Sequence, residues 1–126
     1  MSKEYPVIVH SLLALATPFS LISAYSTRFE LLHAFRISKL TRLFVQPKYL
    51  QAALSAAKEV GLSAKKIYVL EGEAKGYRSL SGMIERVQKV NIPQLAPRAA
   101  TRDTLAYLVF SSGTSGLPKG KFTPPN

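Results

Sequence analysis

Apolar positions along the chain fall into runs of two periods. Leu31, Leu32 and Phe35 lie on one side of a helix that the pattern predicts from Thr27 to about Ser38. Thr27-Arg28-Phe29-Glu30 reads as its capping box: the Thr hydroxyl accepts from the Glu30 N–H, and Glu30 reaches back to the Thr27 N–H. Leu50, Ala53, Leu54 and Ala57 recur at spacings of three and four after Pro47, with Gly61 suited to the C-terminal cap. Leu80, Met83, Ile84 and Val87 form a similar stripe, which predicts a third such helix with a core face. Arg42 to Val45 and Lys66 to Leu70 are short β-type runs. Leu105 to Phe110 is six apolar residues without alternation, as expected of a strand buried on both faces in a parallel sheet.

The N-terminal stretch Tyr5 to Thr27 carries no formal charge. Its best apolar part, Val7 to Ala16, includes His10 and Ser11 and is too short to span a bilayer. A signal peptide is a rival reading, because Lys3 precedes the run and Ala14-Leu15-Ala16 resembles a cleavage site. Glu4 and His10 count against it. A buried helix with Pro6 in its first turn is the preferred expectation, with His10 at a core margin and His33 on a helix surface. Asn91 to Thr104, punctuated by Pro93 and Pro97, is a loop. Helices and strands alternate throughout. The expected fold class is therefore α/β, a layered domain with mostly parallel strands and flanking helices. No internal repeat and no low-complexity tract interrupts it.

Composition narrows the function classes. The 126 residues are 47 % hydrophobic and 19 % charged, enough apolar content for a core. The absence of cysteine removes disulfides and thiolate zinc sites and fits an intracellular setting. Two histidines and seven carboxylates argue against a dense metal cluster, so no metal ligands are assigned. Seventeen Lys+Arg give a formal charge of +10, which favours anionic partners. Along the sequence these cations are spread, with no run longer than Lys65-Lys66 and no interleaved aromatics, so nucleic acid is not an expected partner.

One segment carries chemistry. The apolar strand runs directly into Ser111-Ser112-Gly113-Thr114-Ser115-Gly116-Leu117-Pro118-Lys119-Gly120. Three glycines allow tight turning and bring N–H groups close to an anion, four hydroxyls add donors, and Lys119 adds a positive charge. Such a composition suits phosphate, although Gly/Ser-rich stretches also serve as linkers. It is not the ordinary nucleotide P-loop. That motif, aligned on Gly120-Lys121, needs Gly at 115 and Ser or Thr at 122, where the chain has Ser115 and Phe122. No G-x-G-x-x-G is present.

The stretch Tyr107 to Gly120 resembles the phosphate-binding signature of the adenylate-forming enzymes, which include acyl-CoA synthetases, coumarate-CoA ligases and luciferases. Their pattern runs from a tyrosine-bearing strand through Ser-Ser-Gly-Thr-Thr/Ser-Gly-x-Pro-Lys-Gly. Asp103-Thr104-Leu105-Ala106, Tyr25-Ser26-Thr27 with Glu30-Leu31, Ser38 to Val45, and Ala56 to Leu62 also read like CoA-ligase sequence. The resemblance implies an ATP-dependent ligase. A carboxylate attacks the α-phosphorus to give an acyl-adenylate and pyrophosphate, and a thiol, usually that of CoA, then displaces AMP. It implies ATP with Mg²⁺, a carboxylic acid and CoA as partners. Ser111, Ser112, Gly113, Thr114, Ser115, Gly116 and Lys119 would line the phosphate site. No catalytic residue is assigned.

Relatives continue after Pro-Lys-Gly with Val, two variable residues and Thr/Ser-His, where this chain has Lys121, Phe122, Thr123, Pro124 and Pro125. The resemblance thus implies a slice of a large N-terminal domain. Residues 1–90 are α/β units, 91–104 a loop, 105–120 the strand and phosphate loop, and 121–126 a divergent tail. The slice is expected to be inactive alone, and to be poorly soluble or partly molten because sheet edges and apolar faces stay uncovered. A non-catalytic phosphate- or nucleotide-binding module is the alternative, and a basic protein acting on nucleic acid or a membrane surface is a weaker one. No transmembrane segment is expected. The full-length form is expected to be cytoplasmic or peroxisomal, although Pro-Pro-Asn is not a peroxisomal address.

Overall fold

A computed structural model describes residues 3–111 and 119–123. Helix α1 (Glu4–Ala14) leads into a two-residue strand β1 (Phe19–Ser20). Then come α2 (Arg28–Ser38), β2 (Leu43–Val45), α3 (Leu50–Glu59), β3 (Ile67–Val69) and β4 (Arg78–Ser79). Helix α4 (Leu80–Val90), β5 (Tyr107–Ser111) and β6 (Lys119–Thr123) complete the order. The class is α/β, with parallel strands and flanking helices as the sequence pattern implies. The strands form two small sheets. One has the order β2-β3-β4, all parallel; the other has the order β1-β5-β6, with β1 and β5 parallel and β6 antiparallel to β5.

Local chemistry accounts for the boundaries. Thr27 Oγ1 accepts from the Glu30 N–H at 3.3 Å, and a Glu30 carboxylate oxygen accepts from the Thr27 N–H at 2.7 Å. Both halves of the capping box are therefore made, and two donors at the N-terminus of α2 are satisfied. Thr27→Ala is expected to cost about 1 kcal/mol of unfolding free energy, read by urea denaturation. At the other end of α3 the Gly61 N–H donates to Lys58 and the Leu62 N–H to Ala57, with Gly61 at φ +75°. This is a Schellman closure, and the left-handed position explains the glycine.

The core sits between the first sheet's helices and β3. Phe35, Leu50, Ala56, Ala57 and Ile67 form its centre, with Leu31, Leu43, Val45 and Leu54 packed against them. Helix α3 crosses between β2 and β3, the connection that two adjacent parallel strands need. Arg28 ties α2 to α3 from outside: its Nη2 lies 2.9 Å from Glu59 Oε2 and its Nε donates to Ser55 at 2.9 Å.

Four expectations about burial are corrected. Helix α1 exists and holds Pro6 in its first turn, but none of its residues is buried and His10 is exposed. The α4 stripe is not core: Leu80 is buried and Met83 half-buried, whereas Ile84, Val87 and Val90 are 38 %, 45 % and 64 % exposed. Strand β5 is not buried on both faces either. Ala106 and Leu108 are buried, but Val109 is 44 % exposed. In these three cases the amphipathic or apolar surface is present and nothing among the described residues covers it. His33, read as a surface residue, is half-buried on α2.

Candidate phosphate-binding hairpin

Strands β5 and β6 make an antiparallel hairpin in the register Tyr107 to Thr123, Leu108 to Phe122, Val109 to Lys121, Phe110 to Gly120 and Ser111 to Lys119. Two of the sequence-derived site residues, Ser111 and Lys119, are thus direct partners across its last rung. Opposed Cα atoms in such a ladder lie roughly 4.5–5.5 Å apart. Residues 111 and 119, which flank the connecting stretch, therefore lie side by side. Ser112, Gly113, Thr114, Ser115 and Gly116 lie outside the described residues.

The hairpin's position follows from its other neighbour. β1 runs parallel to β5, pairing Phe19 with Tyr107 and Ser20 with Leu108. The Phe19 and Tyr107 rings meet with centroids 5.9 Å apart. The Gly/Ser-rich stretch therefore departs from the carboxyl end of a strand in a parallel pair, which is where open α/β sheets bind ligands. Strand β6 runs across the boundary drawn after Gly120. Lys-Gly-Lys-Phe-Thr has little strand character by itself, and its pairing along β5 sets its conformation.

A groove of about 410 Å³ opens beside the same strand ends. Ile22, Ser23, Tyr25, Ser26, Glu30 and Phe110 are among its lining residues. Phe110 immediately precedes Ser111, and the other five come from the segment after β1 and the first turn of α2. Sequence reasoning did not assemble this groove, since its walls are separated by more than seventy positions in the chain. The one signal was Tyr25-Ser26-Thr27 with Glu30, noted only as a helix start. Its polar groups are largely engaged locally: Glu30 caps α2, and Ser23 Oγ accepts from the Tyr25 N–H at 3.2 Å. The groove therefore offers shape and hydroxyls more than free charge.

Among the described residues, no three His, Asp, Glu or Cys side chains converge on one point. The donor set of the Gly/Ser/Thr/Lys stretch is N–H, O–H and ammonium, without carboxylate. That chemistry fits the oxygens of an anion, and it fits a metal ion only through the anion's own oxygens. No helix among the described residues is long and apolar enough to cross a membrane.

No family model matches the chain. Comparison with individual proteins does find relatives. An acyl-CoA ligase of the fungus Alternaria alternata is 28 % identical over 124 residues, which are 92 % of this chain and 21 % of that protein. The luciferin 4-monooxygenase of Photinus pyralis is 32 % identical over 100 residues, 75 % of this chain and 18 % of the enzyme. The fold matches the solved red-emitting luciferase of Phrixothrix hirtus with a TM-score of 0.83 and 22 % identity, covering 98 % of this chain and 24 % of the luciferase. Fold and hairpin together define the α/β architecture of the adenylate-forming enzymes. The chain is similar to members of that superfamily over most of its length, acyl-CoA ligases and luciferases among them. It spans about a fifth of the length of the curated relatives it matches.

Proposed function

We propose that the chain supplies the phosphate-holding part of an ATP-dependent carboxylic acid–CoA ligase. The carrying observation is the Ser111–Lys119 rung, which brings both ends of the Gly/Ser-rich stretch together at the carboxyl end of β5. In this reading Ser111, Ser112, Gly113, Thr114, Ser115, Gly116 and Lys119 hold the β- and γ-phosphates of ATP. The substrate carboxylate attacks the α-phosphorus, the bond to the bridging oxygen breaks, and pyrophosphate leaves with the charge. Fixed N–H and O–H donors and the Lys119 ammonium oppose that growing charge, so they favour the transition state over the ground state. Mg²⁺ would bind through the phosphate oxygens and neutralise part of the same charge. CoA thiolate then displaces AMP from the acyl-adenylate, a step for which the described residues offer no assigned group.

The chain alone is proposed to bind without turnover. One observation favours this second, non-catalytic reading for the isolated chain: the one carboxylate among the described lining residues of the groove, Glu30, is held by the α2 cap. ATP–pyrophosphate exchange with a panel of carboxylic acids tests both statements. The 126-residue chain should show no exchange with any acid, and a polypeptide carrying it at its relatives' full length should exchange with at least one. Failure of the longer polypeptide with every acid would leave descent without the activity.

A further inference from the structure

The positive charge that is scattered along the sequence is gathered by the fold. Strands β2, β3 and β4 are parallel, so their first residues share one end of a sheet and the residues after them share the other. Leu43 pairs with Ile67, which sets Arg42 beside Lys66 just before the first rung. Neighbouring strands lie about 4.8 Å apart, so the two cations are adjacent. Lys65 stands next to them in the short turn Ala64–Lys66. Arg78 begins β4 and reaches back to the same end. Its Nη2 donates to the Lys65 carbonyl at 3.2 Å and to the Tyr68 hydroxyl at 3.4 Å, with the guanidinium carbon 5.0 Å from the Tyr68 ring centroid.

Arg42, Lys65, Lys66 and Arg78 are all exposed. None has a carboxylate partner among the described residues, where the ion pair found is Arg28–Glu59. The other end of the sheet carries carboxylates. Glu71, just beyond β3, accepts from Gln46 Nε2 at 3.0 Å, and its own N–H donates to the Glu4 carboxylate at 2.7 Å. The four cations thus gather at one end of the small sheet, whereas the other end mixes Glu4 and Glu71 with the exposed Lys48, three residues past Val45.

We propose that the cationic end is an electrostatic docking surface for an anionic lipid bilayer. A cluster of exposed cations is attracted to a negatively charged plane, and four neighbouring Lys/Arg suffice for measurable attraction. Nucleic acid fits this end less well. The Tyr68 ring lies beneath Arg78 and is 9 % exposed, so it cannot stack on a base. The elements there are a three-residue turn and strand starts, and neither enters a groove as a helix or a two-stranded ribbon does. No large apolar side chain is exposed among residues 39–42, 64–67 or 75–78. Adsorption is therefore by charge, without insertion, and falls steeply with salt.

Co-sedimentation of the full 126-residue chain with phosphatidylcholine vesicles, with and without phosphatidylserine, tests this. Binding is expected only with phosphatidylserine and should weaken as salt is raised. Each cation at the surface contributes about fivefold, so Arg42→Gln/Lys65→Gln/Lys66→Gln should lower partitioning on the order of 100-fold. Arg86→Gln/Lys89→Gln/Arg98→Gln removes the same net charge elsewhere and should cost less than about fivefold. All six side chains are exposed, so circular dichroism should be unchanged; the single Lys66→Gln gives the about fivefold step if a triple variant fails to fold. Equal losses in the two triple variants, no dependence on phosphatidylserine, or displacement from vesicles by duplex DNA at equal phosphate concentration would each overturn the proposal.

Discussion

Phe35→Ala is expected to remove about 3–5 kcal/mol of folding free energy, the largest effect of any single truncation proposed for this chain. Phe35 is 1 % exposed on α2 and belongs to the cluster formed with Leu50, Ala56, Ala57 and Ile67. Removing the ring leaves a cavity bounded by two alanines, Ala56 and Ala57, whose short side chains cannot move in to fill it. Relaxation is therefore poor, which places the cost toward the upper part of the range. A domain of this size has about 5–15 kcal/mol in total, and the faces of α1, α4 and β5 that no described residue covers place this chain low in that span. Urea unfolding should show a native baseline that is short or lost, with up to about half of the variant unfolded before denaturant is added. Phe35→Leu keeps most of the volume and should retain a folded transition, with a loss of about 1–2 kcal/mol. A loss below about 1 kcal/mol for Phe35→Ala would mean that the cluster is not the core.

What was legible in the sequence was local. The capping box at Thr27 and Glu30 uses atoms three residues apart, and both of its bonds are present. The Gly61 terminus of α3 is equally local, since its geometry demands a left-handed residue wherever the helix ends. The three internal helices and the strands at 43–45 and 67–69 follow from the same short-range periods.

What was not legible depends on what lies opposite. The stripe Leu80, Met83, Ile84 and Val87 states that a face is suited to burial, but it does not say whether a partner covers it. The same holds for Val109 on β5. Strand β6 could not be read from Lys-Gly-Lys-Phe-Thr because its conformation is imposed by β5. The groove needs Phe110 brought against residues 22–30, and the cationic end needs the parallel register of Leu43 with Ile67. Charges spread along the chain become a patch only once that register is known.

For the candidate site, the sequence supplied the motif and the fold supplies its frame. Ser111 and Lys119 were read as members of one phosphate-binding stretch, and they face each other across the last rung of a hairpin. In the proposed reading the Lys119 ammonium contacts the phosphates, and a charge-assisted contact of this kind is worth about 1.5–3 kcal/mol. Lys119→Ala is therefore expected to weaken ATP binding by roughly tenfold or more. Because the contact is to the phosphates, inorganic pyrophosphate should compete with ATP, and its own affinity should fall by a similar factor in the variant. Lys89→Ala, on the exposed face of α4, removes the same charge away from the hairpin and should leave both affinities within about twofold of the unsubstituted chain.

The most direct measurement is isothermal titration of the chain and of Lys119→Ala with ATP, followed by competition with pyrophosphate. ATP binding that pyrophosphate displaces and that Lys119→Ala weakens, while Lys89→Ala does not, is the result expected of a phosphate-holding hairpin. ATP affinity unchanged by Lys119→Ala, or ATP binding indifferent to pyrophosphate, would contradict it.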